Sequence, residues 1–281
     1  MCPMLKNRVI ALVLLKGDLV VQSVGFEKYF PIGKLDIVLE FLESWDVDEV
    51  IILDIDASRN KKTINFELIK NASRRIFLPL TIGGGISSNK DIEHAIHSGA
   101  DKVVINTAFF HSKGFIKSAV FNFGSQCIVA AGDVRLVENN YYTFTANGKN
   151  KELPMFEWIA EIESCNVGEI FLNSIERDGM KCGYDVELVK IVKNKTNVPI
   201  IAAGGAGNAI HIEQLLNQVD SAAAIGNILY HTEHSTSVIK SYLKVNNQNV
   251  RSSYFINYEK FQFDKKGAPV VIEQESLFFN N

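Results

Sequence analysis

Short apolar runs rich in β-branched residues alternate with longer amphipathic runs along most of the chain. Between the short runs lie patterns with helical spacing, such as KLDIVLEFLESW and MFEWIAEIES. Alternation of buried strands with helices is typical of parallel βαβ units. There are eight such units, and they predict a (β/α)8 TIM barrel. The short runs are RVIALVLL, EVIILDID, LPLTIGGG, KVVIN, CIVAAGDV, EIFLNSI, PIIAAGGAG and SAAAIG.

An internal repeat favours the barrel over a doubly wound sheet, which would normally have fewer strands and one phosphate loop near its first strand. Features recur at an offset of 119 to 121 residues. The repeat predicts two duplicated half-barrels, whose strands correspond in order around a closed ring. The recurring pairs are Glu49 and Glu169, Pro79 and Pro199, Gly83 and Gly204, and Asp101 and Asp220.

Two segments lie outside the repeated units. After the fifth predicted strand, the pair Asn139-Asn140 stands between two alternating runs, which predicts a hairpin above the carboxyl-terminal face of the barrel. We expect the barrel to occupy residues 1–251. Residues 252–281 are too rich in Phe and Tyr for a disordered linker, so we predict an extension that docks on the barrel or on a partner.

Four charged residues stand at the starts of predicted strands. Side chains alternate along a strand, so if Arg8 points into the barrel, Glu49, Lys102 and Glu169 do so by the same count. Strand-start charges usually point at solvent. A neutral ring of buried ion pairs is costly to desolvate and a poor source of stability. We therefore interpret the four as a gate below an apolar bore that a small neutral molecule could cross.

The carboxyl ends of the strands carry glycines and polar residues that could face one another across the upper mouth. The turns TIGGGIS and AAGGAGN allow backbone N–H groups to approach anions closely, which predicts two phosphate sites. The candidate ligand-binding residues are Gly84, Gly85, Asn106, Thr107, Asn173, Asp178, Gly204 and Gly205.

Asp133 follows the apolar run CIVAAG and is the candidate catalytic residue. A carboxyl group at the top of a buried strand would have a raised pKa and could act as a general acid or base. Its half-barrel equivalent, 119 residues earlier, is Leu14. Only one of the two equivalent positions therefore carries an acid.

Composition excludes several classes of protein. The formal charge is −3 and the basic residues are spread out, so no nucleic-acid partner is expected. The four cysteines lack a C-x-x-C spacing, and no run approaches the roughly 18 apolar residues of a spanning helix. We predict a cytoplasmic protein without membrane contact, metal or cofactor. The histidine pairs at i, i+3 spacing, His94 with His97 and His231 with His234, lack a well-placed carboxylate.

From Met4 to Arg251 the chain resembles the cyclase subunit of imidazole glycerol phosphate synthase, an ammonia-using lyase of histidine biosynthesis. The motifs that carry the resemblance are LDIDAS, GGGI, GADKVVINTA, FGSQ, SIERDG and GGAG. The resemblance implies a glutaminase partner under the barrel, with ammonia passing up the bore through a gate at Arg8, Glu49, Lys102 and Glu169. It also places Asp101 at the glutaminase interface.

The sequence departs from this family in its chemistry. The resemblance implies a catalytic aspartate on strand one, where this chain has Leu14, and its partner on strand five, which is retained as Asp133. A leucine cannot shuttle a proton. Several ligand contacts differ as well, at Gln22, Val104, Asn173 and Ala203.

These departures make the chain similar to one branch of the family, the acetamidino-modification proteins of surface polysaccharide synthesis. That branch implies an ammonia-channelling subunit that serves a glutaminase and an ATP-dependent amidotransferase, and a phosphorylated ligand is a further candidate for the glycine sites. The alternatives are a true cyclase in which Asp133 acts alone, and a barrel that is only a scaffold.

Overall fold

The computed structural model describes residues 6–253 and 256–270. Eight parallel strands form a closed barrel, because each pairs with the next and the last, β12, pairs back with the first, β1. The predicted (β/α)8 TIM barrel is confirmed. The barrel strands are β1 (Val9–Lys16), β4 (Glu49–Asp54), β5 (Leu80–Gly83), β6 (Lys102–Ile105), β7 (Ile128–Val137), β10 (Glu169–Ser174), β11 (Ile200–Ala203) and β12 (Ala222–Ile225).

The helices surround the strands, and four of the described helices begin at a side-chain cap. The side chains of Asn65, Ser88, Asp185 and Asn208 each accept a hydrogen bond from the backbone N–H three residues later. The helices are α1 (Leu35–Ser44), α2 (Phe66–Ser73), α3 (Asn89–His97), α4 (Thr107–His111), α5 (Lys113–Phe123), α6 (Met155–Cys165), α7 (Val186–Lys193), α8 (Ala209–Gln218) and α9 (Ser235–Val245). Short 3-10 turns occupy Ser125–Cys127, Ile175–Arg177 and Asn227–Tyr230.

Two antiparallel hairpins extend barrel strands at the upper face. Strand β7 continues into β8 (Asn140–Thr145) and β9 (Asn150–Pro154), as predicted. The turn, however, lies one residue earlier than predicted, because Glu138 and Asn139 carry the positive φ angles. A second hairpin, β2 (Leu19–Val24) with β3 (Lys28–Lys34), follows β1 and was not predicted.

The core has two layers, separated by the strands. Outward-facing strand residues pack against the helices, while inward-facing residues fill the barrel. The inward columns agree with the sequence alternation, since Ile10 and Leu12 follow Arg8 inward. The inner cluster consists of Ile10, Leu12, Ile51, Val104, Val129, Ala131, Phe171, Ile201, Ala203, Ala222 and Ala224.

The described part of the extension packs on helix α9 of the same chain. The hydroxyl of Tyr258 lies 2.9 Å from Nδ1 of His234, and the rings of Phe263 and Tyr242 meet edge to face at 5.5 Å. Two short strands, β13 (Gln262–Phe263) and β14 (Pro269–Val270), form a small hairpin there. Residues 254–255 and 271–281 of the predicted extension lie outside the described residues, and the proposed boundary at residue 251 stays a prediction.

Within the described part of the chain, no helix has both the length and the apolar character needed to cross a bilayer.

Candidate functional site

Four charged side chains meet inside the amino-terminal mouth of the barrel, and we call them the charged ring: Arg8, Glu49, Lys102 and Glu169. The Arg8 guanidinium lies 2.7 Å from Glu49 and 2.5 Å from Glu169. The Lys102 ammonium lies 2.9 Å from Glu49 and 2.7 Å from Glu169. Each charge therefore contacts both opposite charges, and the ring is closed.

A neighbouring hydroxyl and the carboxylates themselves stabilise the charged forms of the ring residues. Thr81 donates a further hydrogen bond of 2.8 Å to Glu49, whose side chain is only 3% exposed. Burial acts to lower the pKa of Arg8, but the carboxylates of Glu169 and Glu49 outweigh it and raise the pKa above its ordinary value. Arg8 thus stays charged and cannot leave the ring by losing its proton.

Asp101, the predicted interface residue, precedes Lys102 on the same barrel face and is exposed. One of its carboxylate oxygens accepts a hydrogen bond of 2.8 Å from the backbone N–H of Leu80. That bond fixes the side chain at the edge of the mouth. An exposed, oriented carboxylate beside the ring is available to a cation on a docked partner.

Above the ring, the inner cluster leads to a cavity of about 120 Å³ at the upper face. Its walls include Leu12, Leu14, Val104 and Phe171 on the apolar side and Asp133 on the polar side. Leu14 and Asp133, the half-barrel equivalents, thus border the same space. The cavity holds the predicted acid and, at the equivalent place, an apolar side chain.

Asp133 is partly buried and lies beside two amides. Asn106 Nδ2 donates to one carboxylate oxygen at 2.8 Å, and Asn173 Nδ2 donates to the other at 3.3 Å. Burial raises the pKa of Asp133 to about 7; the Asn173 hydrogen bond opposes this effect, and the charge of Asp178 adds to it. The group can therefore hold or release a proton near neutral pH.

The two amides leave acceptors unused. The Oδ1 atoms of Asn106 and Asn173 are buried and have no hydrogen-bond partner within the described residues. Such atoms are costly to leave unpaired. A ligand carrying N–H or O–H groups would satisfy them, so these residues are good candidates for ligand contacts.

Asp178 has a role in positioning the unpredicted hairpin. Its carboxylate accepts a hydrogen bond of 2.5 Å from Ser23 and one of 3.3 Å from the N–H of Phe26. Burial raises its pKa, and these two bonds oppose the rise. Asp178 also borders both the central cavity and a smaller one of about 30 Å³ next to Gly204 and Gly205. The structure thus places it between the two glycine turns.

The two glycine turns make equivalent backbone contacts. The carbonyl of Gly84 accepts from the N–H of Ile64 at 2.9 Å, and the carbonyl of Gly205 accepts from the N–H of Gly183 at 2.9 Å. A side chain at Gly85 or Gly205 would stand 1.8 or 2.0 Å from a backbone oxygen. Close packing of the chain thus accounts for these glycines before any ligand is considered. Gly84 and Gly85 nevertheless line the central cavity together with Thr107.

We predict that Gly85→Ala lowers the free energy of unfolding by about 3 kcal/mol, because it combines a left-handed φ of +69° with a clash against the Lys62 carbonyl. Gly17→Ala is the matched control, with φ +61° and nothing within 4 Å. It should cost only about 1 kcal/mol, the price of left-handed backbone alone. Urea unfolding of both variants tests this, and equal losses would contradict the role assigned to backbone contact.

Several cavity residues were not among the sequence candidates. Asp54 ends strand β4 beside the cavity, and burial raises its pKa although the N–H groups of Asp56 and Ala57 bind it. Asp133 was identified by its position at the end of a strand, and the same signal could have identified Asp54. Tyr29 lies on the unpredicted hairpin, and burial, aided by Asp178, raises its pKa to about 12.

The two histidines of the first pair, His94 and His97, make separate local contacts. The His94 ring meets the edge of Phe66 at 5.7 Å, and Nδ1 of His97 lies 2.8 Å from the Glu93 carbonyl. Among the described residues, no group of three or more metal-ligating side chains occurs.

The fold and the two ends of the barrel define a (β/α)8 barrel with an ionic lower mouth and an upper cavity that has an apolar and a polar side. The family described as "Histidine biosynthesis protein" matches residues 8–235. The chain belongs to the HisF-like imidazole glycerol phosphate synthase cyclase family.

Individual relatives agree with this family. The protein named imidazole glycerol phosphate synthase subunit hisF2 of Vibrio vulnificus is 41% identical over 95% of this chain and 98% of its own length. Imidazole glycerol phosphate synthase subunit HisF of an Exiguobacterium species is 36% identical over 88% of this chain and 97% of its own. The HisF subunit of a Hydrogenobaculum species is 37% identical over 88% of this chain and 100% of its own length.

Proposed function

We propose that this chain is an ammonia-channelling barrel subunit that works with a glutaminase and an ATP-dependent amidotransferase. Together they would convert an acetamido group of a nucleotide-activated sugar into an acetamidino group, in the synthesis of lipopolysaccharide or O-antigen. The observation that carries the proposal is a complete charged ring below the apolar inner cluster, above which the upper cavity holds Asp133 opposite Leu14.

The charged ring suits control of a small neutral molecule. Ammonia can enter apolar surroundings that exclude its charged form, ammonium. With all four ion pairs formed the mouth is closed, so at least one side chain must swing aside for passage. A glutaminase docked over this mouth, near Asp101, would release ammonia next to the ring and away from water.

The upper cavity argues against the parent reaction. The family resemblance implies two acids for cyclisation, and Leu14 can neither take nor give a proton. Losing a general acid or base typically reduces a rate by about 10²- to 10⁴-fold. In the proposed reaction, ATP turns the amide oxygen of the acetamido group into a leaving group and the nitrogen of ammonia replaces it. The amidotransferase supplies that activation, so a second acid in the barrel is unnecessary.

We predict that Lys102→Met uncouples nitrogen transfer from glutamine hydrolysis. The ring would keep its shape near Lys102 but lose one charge, so the closed state would no longer be held by four ion pairs. Amide-labelled [15N]glutamine is supplied to the complex with its glutaminase and amidotransferase. The labelled fraction in the sugar should fall at least severalfold, while labelled ammonia appears in solution.

Two controls distinguish a loss of nitrogen-transfer coupling from general damage to the protein. External ammonium should support the same rate of sugar modification in Lys102→Met and in the unaltered protein. Lys193→Met removes a half-buried lysine that lies 3.8 Å from Asp220, and it should leave coupling unchanged. Unaltered coupling in Lys102→Met would instead favour a barrel that acts only as a scaffold.

A second candidate function is the cyclase reaction itself, which the neutral-range pKa of Asp133 favours. The chain would then complete histidine synthesis in a strain that lacks its own cyclase. Robust growth of that strain without histidine would overturn the amidination proposal. No growth, with the protein present in the cell, would agree with it.

A further inference from the structure

A second, larger space opens beside the central cavity on the upper face. This outer groove, about 840 Å³, runs between the ends of β4, β5 and β6, and its walls include Ser58, Lys61, Lys62, Gly85, Thr107 and His111. Ser58, Gly85 and Thr107 also line the central cavity, so the two spaces meet at the first glycine turn. A ligand could therefore occupy both.

The groove is cationic. Lys61 and Lys62 are exposed, and neither forms an ion pair or a side-chain hydrogen bond with another described residue. The acid among the described lining residues is Asp91, whose carboxylate accepts hydrogen bonds from the N–H and hydroxyl of Ser87. The ammonium groups of two consecutive residues that line the groove are thus available to an anion. Hydroxyls of Ser58, Thr63 and Thr107 add neutral hydrogen-bonding partners.

The central cavity and the outer groove differ in volume and therefore in the ligands that they can hold. About 120 Å³ admits only a small group, whereas about 840 Å³ lies within the range of roughly 300–1,000 Å³ found for pockets that bind whole small molecules. A single phosphate would leave most of the groove unused. A ligand with two phosphates and a nucleoside would use both lysines and the remaining volume.

We infer that the outer groove binds the diphosphate and nucleoside of a nucleoside diphosphate sugar, with the acetamido group of the sugar directed toward the central cavity. The acceptor would then be held on this barrel, and its acetamido group would lie where the bore ends. The inference rests on the proposed function for the identity of the acceptor. Recognition of the diphosphate would come from Lys61 and Lys62, since ammonium–phosphate hydrogen bonds are among the stronger polar contacts.

Calorimetric titration of the purified full chain tests this, with UDP-N-acetylglucosamine as the main probe and GDP-mannose and dTDP-glucose as changes of base and sugar. The double variant Lys61→Ala with Lys62→Ala should weaken binding of all three by about tenfold or more, a loss of about 1.4 kcal/mol. The matched control removes the adjacent lysines of the extension, Lys265→Ala with Lys266→Ala, and should leave binding unchanged.

Inorganic phosphate distinguishes a simple anion site. Equal affinity for phosphate and for the nucleotide sugars, or equal binding by both double variants, would overturn the inference, as would no binding of any probe. These outcomes are independent of nitrogen transfer. Uncoupling by Lys102→Met without probe binding would leave the proposed function standing and the groove assignment wrong. Lysine-dependent binding of the probes without nitrogen transfer through the barrel would support the groove assignment and overturn the proposed function.

Discussion

Glu49→Ala should lower the free energy of unfolding by about 3 kcal/mol, the largest effect expected of any single change in the charged ring. The Glu49 carboxylate accepts from Arg8, Lys102 and Thr81 and is almost fully buried. Removing it leaves two cations to share Glu169. Deleting one partner of a buried ion pair typically costs about 3–5 kcal/mol. We expect the lower end because Arg8 and Lys102 are partly exposed.

The matched control is Glu187→Ala. Glu187 lies 3.0 Å from Lys190 on helix α7, but the pair is on the surface, with the Glu187 side chain 73% exposed. Exposed pairs of this kind contribute at most about 1 kcal/mol. Urea denaturation of both variants at one salt concentration measures the difference. A loss below about 1 kcal/mol for Glu49→Ala would show that water already screens the ring.

A double variant separates stability from gating. Glu49→Leu combined with Lys102→Leu removes one charge of each sign and leaves Arg8 paired with Glu169. Apolar replacement of a buried ion pair is often neutral or stabilising. This variant should recover most of the stability lost in Glu49→Ala. Its nitrogen transfer should stay uncoupled, because the ring no longer closes with four ion pairs.

The pKa of Asp133 should make the stability of the protein depend on pH in an unusual direction. A carboxyl group has a pKa of about 3.9 in an unfolded chain, whereas Asp133 has about 7 when folded. Between these values the unfolded chain has lost its proton and the folded protein has kept it. Stability contributed by Asp133 therefore falls as pH rises from about 4 to 7 and is constant above that range.

Asp133→Asn removes this titration. At about 1.4 kcal/mol per pKa unit, the stability of the variant relative to the unaltered protein should increase by up to about 4 kcal/mol between pH 4 and pH 8. The amides of Asn106 and Asn173 have unused oxygens that a rotated amide could offer to the new side chain. Denaturant unfolding across that pH range is the measurement.

Asp264→Asn provides a contrast of opposite sign. The N–H groups of Ala268 and Lys266 lower the pKa of Asp264, so its contribution is present above the unfolded pKa and lost as pH falls through the folded one. A stability difference for Asp133→Asn that does not change with pH would show that the carboxyl group is ionised throughout, and the acid–base role would be lost with it.

Much of the barrel and of the charged ring could be predicted from the sequence, for one physical reason. Strand side chains alternate strictly, so placing Arg8 inward also placed Ile10, Leu12 and the equivalent columns of three other strands. The internal repeat then fixed which strands correspond. Asp133 followed from its position at the end of an apolar run.

The outer parts of the site could not be found in the same way. Tyr29 reaches the cavity from β3, in the hairpin that follows the Gly17-Asp18 turn between β1 and β2. That turn is a recognisable two-residue signal, but the strands after it continue one barrel strand instead of forming a new unit. Asp178 borders the cavity, as expected of a ligand-binding candidate, and two of its hydrogen bonds also hold that same hairpin. Such contacts join residues over 150 positions apart, and local patterns carry no information about them.

The start and the end of the barrel share one buried carboxylate. Asp48 accepts a hydrogen bond of 2.8 Å from the N–H of Val9, and its other oxygen lies 2.9 Å from the ammonium of Lys240 on the last helix. Arg8 is the residue immediately before Val9. The charged ring is thus anchored to helix α9. A truncation that removes Lys240 would leave the buried Asp48 carboxylate without this ammonium partner. It would also loosen the Arg8 guanidinium, which lies near the other end of the chain.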